Sequence, residues 1–402
     1  MKSVGLTISC IFILFMIFAC KKSHEQNSIL PSSKSDNSNY MGKSYKGNYI
    51  WSGAINLAWI DLTNNVAHRK ISFATDDSKA LLTLNKFNNP VITYKNMDKD
   101  SYFIKSGYGQ SIIDSINLGR KRIFPSAHFP DLADKLKDND IIAYSYFMKS
   151  IEYLYQFHSS VIDFVEPTIK KKTKRQMEST REAINRKEYY NSTDYIPWVK
   201  PLDVDREYHA YNPVSAIEVM GSPKSIQNID IVDYRDENCF IVRIRLKDPR
   251  NQLFLAKGFP LDDPSQVLMY LSKKAPPNQN TNHWFGRRMK AEDTFLAPII
   301  RMNIELDFEE LRGQSLSSKT ENKDYNIFKI GGGIQFNMND CGINVLNKQF
   351  ENYQDWKYTK KGLVMEFNKP YWIIMRKYNS DKPYFILGVN TSYIMNIVHL
   401  ES

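Results

Sequence analysis

Ile55, Ala58, Trp59 and Leu62 recur at helical spacing, which places Asn56–Asp61 on a helix with one apolar face. Ile141 to Phe157 is largely apolar and aromatic, the pattern of a buried strand that runs into a loop or helix. Phe240, Val242, Ile244 and Leu246 alternate with Ile241, Arg243 and Arg245. The turn formers Lys247-Asp248-Pro249-Arg250-Asn251 follow, and Leu253 to Ala256 returns, which predicts a hairpin. Two further strands, Tyr371–Arg376 and Tyr384–Val389, are joined through Asn379-Ser380-Asp381. Strands and helices mix without a regular βα alternation, so the class is α+β rather than doubly wound.

Lys21 to Lys46 breaks the pattern. It is rich in Ser, Asn and Lys and has few apolar residues, the composition of a flexible tether. Apolar patterning then continues almost to the end with no internal repeat. The organisation expected is an N-terminal signal (1–19), a tether (20–46) and one domain (47–402). Within that domain, Ile169 to Tyr190 reads as a polar helix, with Lys174/Glu178 and Glu182/Arg186 spaced as i,i+4 pairs. Its Lys170, Lys171, Lys172, Lys174 and Arg175 form a candidate patch for a polyanion or an anionic membrane. A solvated surface helix is the plainer reading, because charge runs usually face water.

Composition narrows the class. The chain has 402 residues, 42 % hydrophobic and 13 % aromatic, which excludes wholesale disorder. Its 54 Lys+Arg against 44 Asp+Glu give 54 − 44 = +10, a modest and scattered excess that does not point to nucleic acid. The N-terminus says more. Lys2 precedes an apolar stretch from Val4 to Phe18 that closes on Ile17-Phe18-Ala19-Cys20. The run is shorter than the ~20 residues a membrane span needs. A basic start, an apolar run and a small residue before a cysteine resemble a bacterial lipoprotein signal. That resemblance implies cleavage after Ala19 and acylation of Cys20, with palmitate-type chains anchoring the protein in the cell envelope. Ile17 and Phe18 stand where the pattern prefers Leu and a small residue. Lys21 is not the Asp that favours inner-membrane retention in some bacteria, so the outer membrane or cell surface is preferred. With Cys10 removed and Cys20 acylated, Cys239 and Cys341 remain, as compatible with a disulfide as with free buried thiols.

Catalytic motifs are missing. There is no HExxH, CxxC or EF-hand pattern, no G-x-S-x-G elbow and no G-x-x-x-x-G-K-[ST] loop. The seven histidines (24, 68, 128, 158, 209, 283 and 399) lack metal-ligand spacing. Gly331-Gly332-Gly333 has no following Lys-Ser/Thr and reads as a flexible or closely packed strand start. Asp307, Glu309 and Glu310 read as surface acids near a strand end. These residues argue for no enzyme, no cofactor and no metal.

The C-terminal third carries a resemblance. Met365-Glu366-Phe367-Asn368-Lys369-Pro370-Tyr371-Trp372-Ile373-Ile374-Met375 resembles the C-terminal signature of the serpins, with Tyr371 for the usual Phe and Trp372 for an aliphatic residue. Pro383 to Asn390 resembles the family's closing strand, with Gly388 displaced by one. Met338-Asn339-Asp340-Cys341-Gly342 resembles the strand end that opens the serpin bait loop. Weaker echoes lie at Tyr146-Phe147 with Lys149 and Phe157, and at Asn48 to Ala54; all keep the family order. The resemblance implies a single serpin-like domain with a large central mixed or antiparallel sheet, further sheets and about eight to nine helices packed on them.

It also implies a mechanism. An inhibitory serpin is metastable: its exposed loop is cut, inserts as an extra strand and drags the protease along, stored strain released by proteolysis. Insertion needs small side chains after Gly342, because alternate residues enter a packed core. Here Ile343, Asn344 and Val345 form the hinge, followed by Leu346-Asn347-Lys348-Gln349. If Ile343 and Val345 face inward, so do Asn347 and Gln349, each buried amide costing about 1–3 kcal/mol if unpartnered. The asparagine the family carries before Tyr-Phe is missing, with Ala143 or Tyr144 near its place. The expectation is a serpin-like protein that inhibits weakly or not at all.

Counting from Gly342 puts a bait bond at Trp356-Lys357; counting back from Phe367 puts it at Thr359-Lys360, with Tyr358 between. Trp356 would suit a chymotrypsin-like pocket, Lys357 or Lys360 a trypsin-like one. The plainer reading has Tyr353, Trp356 and Tyr358 packing a surface loop. The partners implied are the membrane, through Cys20, and an exogenous serine or cysteine protease, for a monomer that binds no nucleic acid. The alternative is a surface-binding lipoprotein of α+β fold that engages a protein or polyanion without inhibiting a protease.

Overall fold

A computed structural model describes residues 40–166, 211–219, 224–277, 286–316, 325–339 and 362–397. In chain order the strands begin β1 Lys43–Tyr45, β2 Asn48–Ser52, β3 Tyr102–Tyr108, β4 Asp140–Ser150, β5 His158–Val165 and β6 Tyr211–Val219. They continue β7 Ile229–Asp236, β8 Cys239–Ile244, β9 Asn251–Lys257, β10 Arg287–Arg288, β11 Thr294–Pro298 and β12 Ile300–Asp307. The last are β13 Asn326–Met338, β14 Val364–Glu366, β15 Tyr371–Lys377 and β16 Pro383–Val389. The helices are α1 Gly53–Asn65, α2 Ser78–Asn88, α3 Ser111–Ile123 and α4 Ser265–Lys274.

Three sheets result. An eight-stranded sheet, β1-β2-β16-β15-β9-β8-β7-β10, is antiparallel throughout. Its central strands β9, β15 and β16 are buried on both faces, as their nearly unbroken apolar runs require. A four-stranded sheet, β14-β11-β6-β5, is antiparallel except for the parallel pair β11/β14. A second four-stranded sheet, β12-β13-β4-β3, holds β13 parallel to β4 between antiparallel edges.

The predicted helix at 56–61 lies inside α1, capped by the Ser52 hydroxyl, which accepts from the Ala54 N–H at 3.3 Å. Its Ile55, Ala58, Trp59 and Leu62 pack into one core cluster with Phe87 of α2; Trp59 and Phe87 stack at 4.9 Å. β4 divides its side chains by the period of two. Ile141 and Ala143 join that cluster, while Ile142, Tyr144 and Tyr146 join another with Ile112, Ile113 and Ile116 of α3. Both predicted hairpins form, β8/β9 and β15/β16.

Two expectations need correction. The body takes in residues assigned to the tether: Met41 is buried and β1 pairs with β2 through a turn at Lys46 and Gly47, both at positive φ. A short polar strand of this kind escapes compositional reading, because its partner strand holds it rather than its own apolar face. Four α-helices stand among the described residues; Pro125 and Pro130 help keep residues 124–139 irregular. Of the three acids near the end of β12, Glu310 is a buried partner and not a surface charge. Its carboxylate accepts from Lys43 Nζ at 2.9 Å and from Thr83 Oγ1 at 3.0 Å.

Candidate functional site

The parallel pair β4/β13 is the seam on which the site is built. Asn326 faces Asp140 at one end and Asn337 faces Ser150 at the other. β13 then ends at Met338 and the buried Asn339, and residues 340–361 lead to β14 in a different sheet.

Gly331-Gly332-Gly333 lies in mid-strand, not at a strand start, and is closely packed rather than flexible. A Cβ at Gly332 would stand 2.3 Å from Ser145 Oγ and 2.7 Å from the Ser145 carbonyl oxygen. One at Gly331 would stand 2.5 Å from the Leu306 carbonyl oxygen of β12. The run lets three strands approach more closely than side chains allow. Beneath the seam Phe385 of β16 stacks on Phe147 of β4 at 5.2 Å and on Phe336 of β13 at 4.7 Å. α1 packs against both strands, and its Asn56 is buried with both amide atoms unpartnered. Of the two residues near the place of the missing asparagine, Ala143 faces the α1 side and Tyr144 the α3 side.

Beyond residue 361 the chain is held firmly. Leu363 N–H donates to Asp293 Oδ1 at 2.8 Å, and β14 runs beside β11. The motif that carries the family resemblance is core: Met365, Phe367, Pro370 and Tyr371 to Met375 are buried. Trp372 Nε1 donates to the Pro260 carbonyl at 2.9 Å, and its ring leaves room at position 388 for little more than glycine. Lys257 is the residue that sequence reasoning missed. Its Nζ donates to the Glu237 carbonyl at 3.0 Å, the Glu366 carbonyl at 2.7 Å and Asn368 Oδ1 at 2.8 Å. Burial, aided by the charge of Lys369, pushes this amine down to about 7. The signal was a lysine closing the apolar run Leu253–Ala256, where solvent exposure would have been the default.

A polar cleft of about 450 Å³ lies at the end of β4, lined by Asp98, Lys149, Glu152, Asp248 and Arg250 among others. Asp98 pairs with Lys377 at 3.3 Å and loosely with Lys149 at 3.9 Å, and burial pulls the Lys149 amine below its ordinary range. No cluster of metal-ligating side chains exists among the described residues. No helix there is long and apolar enough to cross a membrane. Cys239 has no disulfide partner among the described residues.

Several sequence-derived sites lie outside the described residues. They are Cys20, the hinge Gly342, Ile343, Asn344 and Val345, the bait residues Trp356, Lys357, Tyr358, Thr359 and Lys360, and the basic group Lys170, Lys171, Lys172, Lys174 and Arg175. Cys341 lies outside them as well.

The fold is similar to that of serpins. A serpin from Schistosoma mansoni matches at TM-score 0.46 and 10 % identity, over 87 % of this chain and 96 % of that one. The mouse protein-Z dependent protease inhibitor matches at 0.45 and 11 %, over 86 % and 91 %. Maspin matches at 0.46 and 10 %, over 86 % and 92 %. No protein-family model and no curated protein matches the sequence. Likenesses this distant bear on neither activity nor partners.

Proposed function

We propose that this chain is a serpin-like lipoprotein, not an enzyme, anchored through acylated Cys20 at the outer membrane or surface of a bacterial envelope. A signal (1–19) and a tether place its body outside the membrane, where residues 340–361 meet exogenous proteases that it traps weakly or not at all. One observation carries this reading. β13 lies parallel to β4, and the segment that leaves β13 re-enters in a separate sheet. A chain turning back from the end of β13 and laid along the seam would run antiparallel to both neighbours and could pair with each. The hinge opposes fast insertion: Ile343 and Val345 are bulky, and Asn347 and Gln349 on the same face are polar.

The test is a denaturing gel of the protein lacking residues 1–20, incubated with chymotrypsin-like, trypsin-like and elastase-like proteases. The expected result is cleavage between Tyr353 and Lys361 with no adduct. An SDS-resistant band at the summed mass would overturn the weak-inhibitor reading. A segment that resists all three proteases would favour the second reading, a surface-binding lipoprotein, to which the basic run Lys170–Arg175 lends its chemistry.

A further inference from the structure

Lys149 follows Phe147 on the inner face of β4, two residues further along the strand. Its side chain is 18 % exposed, and Asp98 Oδ2 lies 3.9 Å from its Nζ, too far for a hydrogen bond. Asp98 is already engaged. Its Oδ1 pairs with Lys377 at 3.3 Å, and its Oδ2 accepts from Asn251 Nδ2 at 2.6 Å. Other carboxylates around the cleft are held closely by other cations. Asp248 accepts two bonds from the Arg250 guanidinium at 2.9 Å, and Glu152 pairs with Lys247 at 3.4 Å. Asp100 stands on the exposed rim, where water screens it.

Pairing charge with charge therefore leaves one ammonium over inside the cleft. Lys149 is mostly withdrawn from water and donates no hydrogen bond to any described residue. A cation in that state is relieved by losing its proton or by gaining an anion. Burial already pulls its amine below the ordinary range, which is the first response. The space beside it allows the second. The cleft holds about 450 Å³, whereas a benzene ring fits a cavity of about 150 Å³. Phe124, Pro125 and Ile151 give it an apolar wall, and Ser126 and Ser150 line the same space. An apolar wall with a few polar groups is the usual make-up of a small-ligand site.

We propose that the cleft at the end of β4 is a site for a small monocarboxylate, whose carboxylate accepts from Lys149 Nζ and whose apolar body lies against Phe124, Pro125 and Ile151. A single negative charge matches the single unbalanced cation. A second would face Asp98 and Asp248, which line the same cleft. Occupancy of the cleft does not depend on a cut within 340–361.

Sodium benzoate is the probe and benzamide its uncharged counterpart, each titrated into the full chain carrying carbon-13 at lysine Cε. The signal that Lys149→Arg removes belongs to Lys149. Benzoate should shift that signal to saturation in the millimolar range, and benzamide should bind about tenfold more weakly or worse. Affinity read from the benzoate resonances by saturation transfer should fall about tenfold or more in Lys149→Met. Lys149→Arg should restore it to within about threefold, because the cation is kept. Ser126→Trp, which sets an indole in the cleft from an exposed position, should abolish the Lys149 shift. Equal affinity for benzoate and benzamide overturns the carboxylate site. So does benzoate binding that Lys149→Met leaves unchanged, since the anion would then sit elsewhere on the chain. A Lys149 shift that survives Ser126→Trp, or no saturable shift up to about 50 mM benzoate, overturns it too. Should Lys149→Met fail to fold, Ser126→Trp and the benzamide comparison decide.

Discussion

In the eight-stranded sheet, several buried polar side chains are met by other strands of the same sheet. Asp230 of β7 accepts from Arg243 of β8 and from Arg245 just beyond it, at 2.6–3.0 Å. Tyr384 of β16 donates to Asn251 of β9 at 2.9 Å, and Arg376 of β15 donates to Gln252 of β9 at 2.8 Å. In the mixed sheet the partners come from outside. Ser106 of β3 donates through N–H and hydroxyl to Asp61 of α1, Gln335 and Lys329 of β13 bond to the irregular strap of residues 124–139, and so does Asn303 of β12. Much of the first sheet's buried polar bonding is internal, with Lys257 reaching out to β14. The second depends on what is laid over it, so its seam can loosen while the first stays bonded.

The largest effect should come from breaking the self-contained sheet. Asp230→Ala leaves two guanidinium groups facing each other without their shared carboxylate, in a site where Asp230 is 0 % exposed. Removing one partner of a buried ion pair costs about 3–5 kcal/mol. Urea unfolding should show that loss as a lower midpoint at unchanged slope. A loss under about 1 kcal/mol, the scale of surface pairs, would mean that the sheet is not held as described.

Gly332→Ala attacks the seam instead. The added methyl meets Ser145 oxygens at 2.3 and 2.7 Å, and part of the contact is backbone, which yields little. Overpacking of this kind costs about 1–3 kcal/mol. Amide exchange should rise along β4 and β13 and stay nearly native in β9, β15 and β16. Equal acceleration in both sheets would erase the distinction between them.

Lys257 gives the comparison a pH axis, because it ties the end of β9 to β14. Its amine falls from the usual 10.5 to about 7 through burial and the nearby Lys369 charge. The native state therefore sheds this proton more readily than the unfolded chain. Its contribution to stability is smallest below about pH 7 and grows as pH rises toward 10.5. Lys257→Met should flatten the rise in urea midpoint between those limits, and an unchanged slope would show the lysine to be solvated.

Much of the eight-stranded sheet was legible in sequence because its strands are apolar and local. The hairpins β8/β9 and β15/β16 are written as two apolar runs around Asp-Pro or Asn-Ser-Asp. The signature Met365–Met375 was legible for the same reason, since it is packed core. The mixed sheet was not. β13 pairs with β4 across almost 190 positions, and no local pattern encodes which strands will lie parallel. Gly331 to Gly333 pointed to close packing, but not to Ser145 or Phe129 as the neighbours. The strap left no periodic trace, because its apolar residues Phe124, Phe129 and Leu132 follow no fixed spacing. Lys257 was passed over, and Glu310 was read as a surface acid, because charged residues are ordinarily outside.

The smallest global effect should come from the strap. Asp131→Asn removes a charge whose carboxyl is held below its usual range by the bond from Lys121 and by Arg120. Its side chain is about half exposed, at 48 %, and asparagine keeps an acceptor for the buried Arg120. Exposed pairs of this sort contribute about 1 kcal/mol or less. In the wild type that contribution is present at neutral pH and fades as pH falls through the depressed native value, so the variant and wild type should converge in acid. The informative quantity is the contrast between global and local. Urea unfolding should barely move, while exchange of the Phe129, Asp131 and Leu132 amides rises severalfold, because the anchor is local. A global loss comparable to that of Asp230→Ala would make the strap part of the cooperative core. The mixed sheet would then be as self-contained as the larger one.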